Sequence, residues 1–310
     1  MNPTSFQLGL VSDLHLENDP HFMVKTQGLD VLVAVGDILS GQVSSTTGVD
    51  YLTQVAPHIP TLYVPGNHEF EGGTIEQGLE RLRKRTKGTK VKVLYRTAVD
   101  LFGVRFLGAT LWASFDLFGV ENRLRCQREA QHRLPDFRTI FGKNGKPFTP
   151  AMAREEHAKD VAWLTRQLAQ DPGIPKVLLT HFAPATGSLQ KHYGNDPLSA
   201  YWVNPCEHLV KQAILALHGH VHSSFDYHLQ AAGANKGRVI ANAKGFHYTV
   251  RKEETAPDAQ HLLIEQFPAL ATQDEVEVEE NPAFQNPLRL QVWPETGAVD
   301  VLPATSPTLP

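Results

Sequence analysis

An α/β fold is what this 310-residue sequence predicts, and three observations predict it. Short apolar, β-branched runs stop abruptly at Gly, Asp or Asn, as buried strands do where their C-terminal ends open into loops. Segments with apolar residues at helical spacing lie among those runs. A hydrophobic content of 41% with 20% charged residues is that of a globular chain able to bury a sizeable core.

In chain order, "FQLGLVSD" (6–13), "DVLVAVGD" (30–37) and "TLYVPGN" (61–67) are predicted strands. Ile75, Leu79 and Leu82 place one apolar face on a helix over 75–87. "LFGVRFLGAT" (101–110) reads as another strand. Residues 112–150 break the pattern. Between 122 and 146 they carry seven Lys or Arg against two acids, with Phe115, Phe118, Phe137 and Phe141 interleaved. A structureless loop of that length is uncommon, so the segment is expected to be an inserted lid or cap. A helix is predicted over 149–170, with Thr149 as cap, Pro150 at its first position, and Val161, Leu164 and Leu168 in register. Strands return at 176–182, 213–222 and 238–243. Residues 253–280 hold nine Asp or Glu and no Lys or Arg, which predicts a solvated, irregular acidic loop extending to about 285. "LRLQVWPETGAVDVLP" (288–303) predicts a hairpin turning at "PETG", with Leu288, Leu290 and Val292 on one face. No internal repeat or linker divides the chain, so one domain spanning 1–310 is expected.

The formal net charge of −4 and pI near 6.4 argue against a dedicated nucleic-acid binder. Two cysteines, Cys126 and Cys206, are too few for a disulfide framework. No apolar run is long enough to span a membrane, and "MNPTSFQLGLVSD" lacks the pattern of a signal peptide. A cytoplasmic protein, monomeric or homodimeric, is therefore expected.

The compositional oddity is 15 histidines, three of them in "LALHGHVHSSFDY" (215–227): His218, His220 and His222. On a strand, residues i and i+2 share a face, so these imidazoles could converge on a metal. A solvated, His-rich turn fits those residues equally well. Five loop sites change the balance: Asp13-x-His15, Gly36-Asp37, Gly66-Asn67-His68, His181 and Gly219-His220-x-His222. Each lies at or just past an apolar run. Singly, each Asp reads as a cap and each His as a packing residue. Together they form a set of metal-ligand types gathered at strand ends.

These blocks, "SDLHLE", "VGDILSG", "PGNHEF", "THFAP" and "HGHVH", resemble in order and content those of the calcineurin-like metallophosphoesterase superfamily. The resemblance covers residues 7 to 245. It implies a four-layer α/β/β/α sandwich of two mixed β-sheets flanked by helices, and a site for two divalent cations. By that match Asp37 bridges the metals. Asp13, His15 and His222 complete one site; Asn67, His181 and His220 complete the other. His218 is left over, with a packing role expected. Two cations less two aspartates and one hydroxide leave the site near one positive charge, which attracts a phosphate ester anion. The mixed N/O ligands suit Mn, Fe, Zn, Co or Ni, and Mn is the expected activating metal. The implied reaction is attack by a metal-bridging hydroxide on phosphorus, with His68 protonating the leaving oxygen.

Within the superfamily, "GDILSGQ" lacks the arginine of the protein Ser/Thr phosphatases. His68 stands where the bacterial UDP-diacylglucosamine hydrolases carry arginine. The G-H-x-H block is shared with phosphodiesterases and with nucleases of the fold. A metal-dependent phosphoric ester hydrolase (EC 3.1) acting on a small phosphodiester is therefore expected. The alternatives are a phosphomonoesterase, a nucleotide pyrophosphatase, a nuclease module or a non-catalytic metal scaffold. Arg138 in the basic segment, with Asn242 and Lys244 in "RVIANAKGFHY", are the candidate substrate contacts, a plain surface lysine being as good a reading of Lys244. Glu17 and Glu69 either orient ligand histidines or lie at the surface. The basic, Phe-rich segment suits a nucleotide. Its phenylalanines could equally pack the insertion, and its cations could pair with the acidic 253–280 region.

Overall fold

The computed structural model describes residues 4–43, 45–230, 236–251, 272–273 and 275–303. In one six-stranded sheet β1 (Phe6–Val11), β2 (Val31–Val35), β3 (Thr61–Val64) and β4 (Val91–Val93) run parallel. Antiparallel β13 (Leu288–Trp293) and β14 (Ala298–Val301) extend its β1 edge. The second sheet has the order β5 (Thr97–Leu101), β6 (Val104–Ala109), β7 (Lys176–Thr180), β8 (Leu215–His218), β10 (Arg238–Asn242) and β9 (Ser224–His228). Its four central strands are parallel and its edges antiparallel.

Strand alternation builds the layers. Val31, Val33 and Val35 face inward with Leu8, Leu10, Val177, Leu179, Leu215 and Leu217, making the core between the sheets. The intervening Leu32 and Ala34 face outward onto Val49 and Leu52 of α1 (Gly48–Val55) and Leu82 of α2 (Ile75–Arg85). On the other sheet Leu178 and Ala216 face outward toward Leu164 of α5 (Pro150–Ala169). Strands apolar on both faces need cover on both, and the result is two mixed β-sheets flanked by helices, as the sequence predicted. Slipping β2 by one residue would exchange its two faces, so sheet-to-sheet packing pins the register of the loop that follows.

The helix starts follow the sequence. Thr74 and Gln77 cap α2 reciprocally, and Thr149 accepts a hydrogen bond from Met152 N at the start of α5. The 101–110 strand is instead the second arm of a hairpin, because Phe102 and Gly103 take positive φ and turn the chain between β5 and β6. The 288–303 hairpin forms, with Leu288, Leu290 and Val292 in the inter-sheet core.

The basic segment is folded in. It forms α3 (Arg123–Arg133) and α4 (Asp136–Thr139), and Phe115, Phe137 and Phe148 are buried in the core beside α5. Phe118 and Phe141 are half-buried. Three of its cations, Arg123, Arg133 and Lys143, pair with Asp116, Asp196 and Glu76. Of that acidic segment, 252–271 and 274 lie outside the described residues. Glu275–Glu279 form a strand, β12, rather than a loop; it pairs antiparallel with β11 (His247–Arg251). No helix among the described residues is long and apolar enough to cross a membrane.

One polar contact ties α5 to the second sheet. His157 Nδ1 donates to Trp112 O at 2.6 Å, and burial pushes the imidazole down to about 4. The folded state therefore resists a proton that the unfolded chain accepts near pH 6.5. Stability from this group is fully present above pH 6.5 and is lost as pH falls toward 4, by up to about 3 kcal/mol. Urea titrations across that window should show a shallower acid loss in His157→Gln than in the parent; parallel curves would remove this role.

Candidate metal centre

The parallel strands of both sheets end at one edge of the sandwich, where ligand sites gather in folds of this kind. Asp13 and His15 follow β1, Asp37 follows β2, Asn67 and His68 follow β3, His181 follows β7, and His220 and His222 follow β8. Asp13 and Asp37 are fully buried. A metal-compatible set of ligand atoms forms from Asp13, His15 and His222, and another from Asp37, His181 and His220. The structure thus brings together the residues that the sequence assigned to two sites, and it also sets His15, Asp37 and His68 within reach of one another. Asn67 Oδ1 joins the second set, 3.0 Å from His181 Nε2.

The local backbone is unusual. Asp13, His15, Asp37, His220 and His222 all have φ between 46° and 69°, a region that costs a non-glycine residue roughly 1–2 kcal/mol. The reading of His220 and His222 as strand neighbours is therefore corrected: β8 stops at His218, and two left-handed residues aim the imidazoles. Ladder-like hydrogen bonds hold the strained loops, Asp13 N to Gly36 O at 2.9 Å and His15 N to Asp37 O at 3.1 Å. His220 N donates to Asp13 Oδ1 and Oδ2, each at 3.0 Å, which carries the β8 loop across to the β1 loop. The glycines of the motifs have a steric reason. A Cβ at Gly66 would overlap Asp37 Oδ1 and the His181 ring, and one at Gly219 would overlap Asp13 Oδ2.

The imidazoles are set as lone-pair donors. His181 Nδ1 donates to Val35 O at 2.8 Å and His15 Nδ1 donates to Glu17 Oε1 at 3.0 Å, so each turns Nε2 into the site. His15 Nε2 and His222 Nε2 face each other at 3.2 Å. His220 Nε2 is buried with no hydrogen-bond partner, its ring lying against Phe182 and Trp202. A buried, unpartnered nitrogen aimed at other ligand atoms is what a cation would satisfy. Charge points the same way. Burial alone would raise the Asp13 carboxyl, yet His222 and His181 hold it down at about 2. Burial would lower His181 and His222, yet Asp37 pushes the first up to about 9 and Asp13 with Glu280 pushes the second up to about 10. The pocket thus demands positive charge, and the donor set fits two divalent cations.

His68 lies beside this set, with Nε2 4.0 Å from Asp37 Oδ2 and Nδ1 3.5 Å from Glu71 Oε2. Burial alone would lower its pKa, but Asp37, Glu71 and other carboxylates outweigh that and raise it. Glu17 orients His15, as one expectation held. Glu69 does not touch a histidine. Its carboxylate accepts from Asp37 N, Ile38 N and Gly66 N and from the Tyr63 hydroxyl, fixing the loops that carry Asp37 and Asn67. His218 bonds Ser188 Oγ and stays outside both ligand sets.

Two site residues escaped the sequence. Asp136, buried in α4, accepts from Asn67 Nδ2 at 2.6 Å and so turns Asn67 Oδ1 toward the ligands. Glu280, just past β12, accepts from His222 Nδ1 and from Phe246 N. Neither belongs to a motif, and only folding brings them to the site. Conversely, the three candidate substrate contacts do not line the cavity beside His68. Arg138 donates to His132 O, Lys244 pairs with Asp19 at 3.1 Å over the Phe22 ring, and Asn242 is buried bonding Leu10 O and Gln285.

The family model of the calcineurin-like phosphoesterases matches residues 6–224, and the chain belongs to that family. Among solved structures it is similar to phosphopantetheinyl hydrolase from Mycobacterium tuberculosis, with 16% identity and a TM-score of 0.59, covering 78% of this chain and 90% of that one. It also matches a dimetal phosphatase from Danio rerio, with 16% identity and a TM-score of 0.40, covering 77% of this chain and 87% of that one. No curated protein matches the chain. Family and ligand set together make this a metal-dependent hydrolase of phosphate esters.

Two substitutions test the geometry. Gly66→Ala should lose bound metal, as measured by elemental analysis, because its Cβ displaces Asp37; full occupancy would contradict the steric argument. Asp136→Ala should weaken Mn²⁺ binding by about 10–100-fold in calorimetric titration, with Asp136→Asn closer to the parent.

Proposed function

We propose that this protein hydrolyses small phosphodiesters, with His68 as the general acid. The convergence of two buried ligand sets at the floor of a cavity flanked by His68 supports this reading. Asp37 is the ligand suited to lie between the two sites, since its carboxylate is within ligand-set distance of His181 and His220 on one side and of His15 on the other. Asp13, His15 and His222 would hold one cation; Asn67, His181 and His220 would hold the other. When bound, two divalent cations supply Lewis acidity to phosphoryl oxygens and lower the pKa of water at the site. Mn is the favoured ion, and Fe, Zn, Co and Ni suit the same mixed ligands.

The chain's own part is to orient and to move a proton. Glu17 and Glu280 hold the Nδ1 protons of His15 and His222, keeping each Nε2 directed inward. The carboxylates around His68 raise its pKa and so favour the protonated ring, and the ring borders the cavity where a leaving oxygen must depart. The cavity, about 1030 Å³, has room for both arms of a diester.

The test is hydrolysis of a generic diester against its monoester by the Mn²⁺-loaded protein, with the diester turned over faster; a faster monoester would reverse the assignment. His68→Ala should lose about 10²–10⁴ in rate on an alkoxide leaving group and far less on 4-nitrophenolate. Equal losses on both would remove His68 from the proton transfer.

A further inference from the structure

Resting on the phosphodiesterase reading, we infer that the preferred substrate carries a single phosphate charge, organic groups without further negative charge, and at least one apolar arm. The cavity beside the two ligand sets decides this. Among the described residues its lining includes one Lys or Arg, Lys191, against the carboxylates of Asp136, Glu279 and Glu280 beyond the ligand Asp37. Two of those three are fastened to ligand side chains, Asp136 to Asn67 and Glu280 to His222. They are built into the site and cannot swing away without releasing a ligand.

The cations that the sequence offered to a polyanion lie away from the cavity, and four of the seven are engaged elsewhere. None of the seven Lys or Arg between 122 and 146 lines the cavity. Arg123 and Arg133 pair with Asp116 and Asp196, Lys143 with Glu76, and Arg138 with a main-chain carbonyl. Two divalent cations held there would face two ligand aspartates and an acidic wall, which leaves charge to draw one phosphate. A second phosphate, a carboxylate or a nucleic-acid strand would bring charge that, among the described lining residues, only Lys191 could meet, in a cavity that also holds three carboxylates. The wall also carries an apolar share, Leu134, Trp202, Val203, Phe225 and Phe246, beside the uncharged Ser188, Gln190, Ser223 and Ser224. Such surface rewards an aliphatic or aromatic group.

The test uses the full chain loaded with Mn²⁺ and reads binding apart from turnover. Dibenzylphosphinate is a monoanionic diester analogue whose two P–C bonds do not hydrolyse; its para-carboxy derivative adds one charge. Calorimetry should show the uncharged-arm compound binding at least about tenfold tighter, the equivalent of about 1.4 kcal/mol. The ratio kcat/KM for bis(4-nitrophenyl) phosphate over 4-carboxyphenyl 4-nitrophenyl phosphate should follow the same order. Glu279→Lys, on the exposed edge of β12, should narrow the binding gap several-fold, and Lys191→Glu should widen it. Equal or tighter binding of the carboxylated phosphinate overturns the inference, as does a gap that neither variant moves. The two readings separate cleanly: preference in binding without turnover of any phosphoester defeats the phosphodiesterase alone, and turnover without preference defeats the charge inference alone.

Discussion

Burying Asp13 and Asp37 in one pocket would cost the fold several kcal/mol per charge if nothing positive faced them. The surrounding structure is arranged around that demand. Four imidazoles turn Nε2 toward the two carboxylates, and His220 Nε2 has no other partner. Five of these residues sit at positive φ, a strain of roughly 1–2 kcal/mol each that unligated loops would have reason to relax. Cations that bind the native arrangement and not the unfolded chain would stabilise it by mass action. The metal centre is thus a structural element as well as a chemical one.

The rigidity that such a centre needs comes from the sandwich. Both sheets end their parallel strands at the same edge, and the inter-sheet core of valine and leucine locks one against the other. Three cross-links then join the loops directly: His181 Nδ1 to Val35 O, His220 N to Asp13, and the isolated bridge between Ser12 and Ala243. Close backbone approach at Gly66 and Gly219 lets carboxylates and rings fill the space that a Cβ would take. Polar contacts without this packed frame would leave the ligands too loosely placed to share two ions.

Around the ligands lies an outer ring of carboxylates. Glu17 serves His15, Glu69 serves the loop amides, Asp136 serves Asn67 and Glu280 serves His222. Each fixes the rotation or tautomer of a group it bonds, and Asp136 and Glu280 also subtract positive charge from the cavity they line. Orientation and charge selection are consequences of the same side chains. The basic insertion contributes to the site through its one buried acid, Asp136, rather than through its cations, none of which lines the cavity.

The sequence by itself determined most of the central strands and the helices at 75 and 149, because these depend on local patterns: alternation in strands, helical spacing, and a cap at Thr149; the inner ligands followed from the resemblance of the loop blocks that sit at strand ends. "GNH" and "HGHVH" could be read because the glycines and the ligands they accommodate lie within a few residues of one another. Tertiary structure alone decided what depends on long-range approach. Asp136 meets Asn67 across 69 residues and Glu280 meets His222 across 58, with no spacing rule to announce either. Arg138 and Lys244 carried the right charge for phosphate but point to His132 and Asp19, because a side chain's direction is set by the element it sits on and the neighbours it meets. Residue type is local information; which face of the molecule it serves is not.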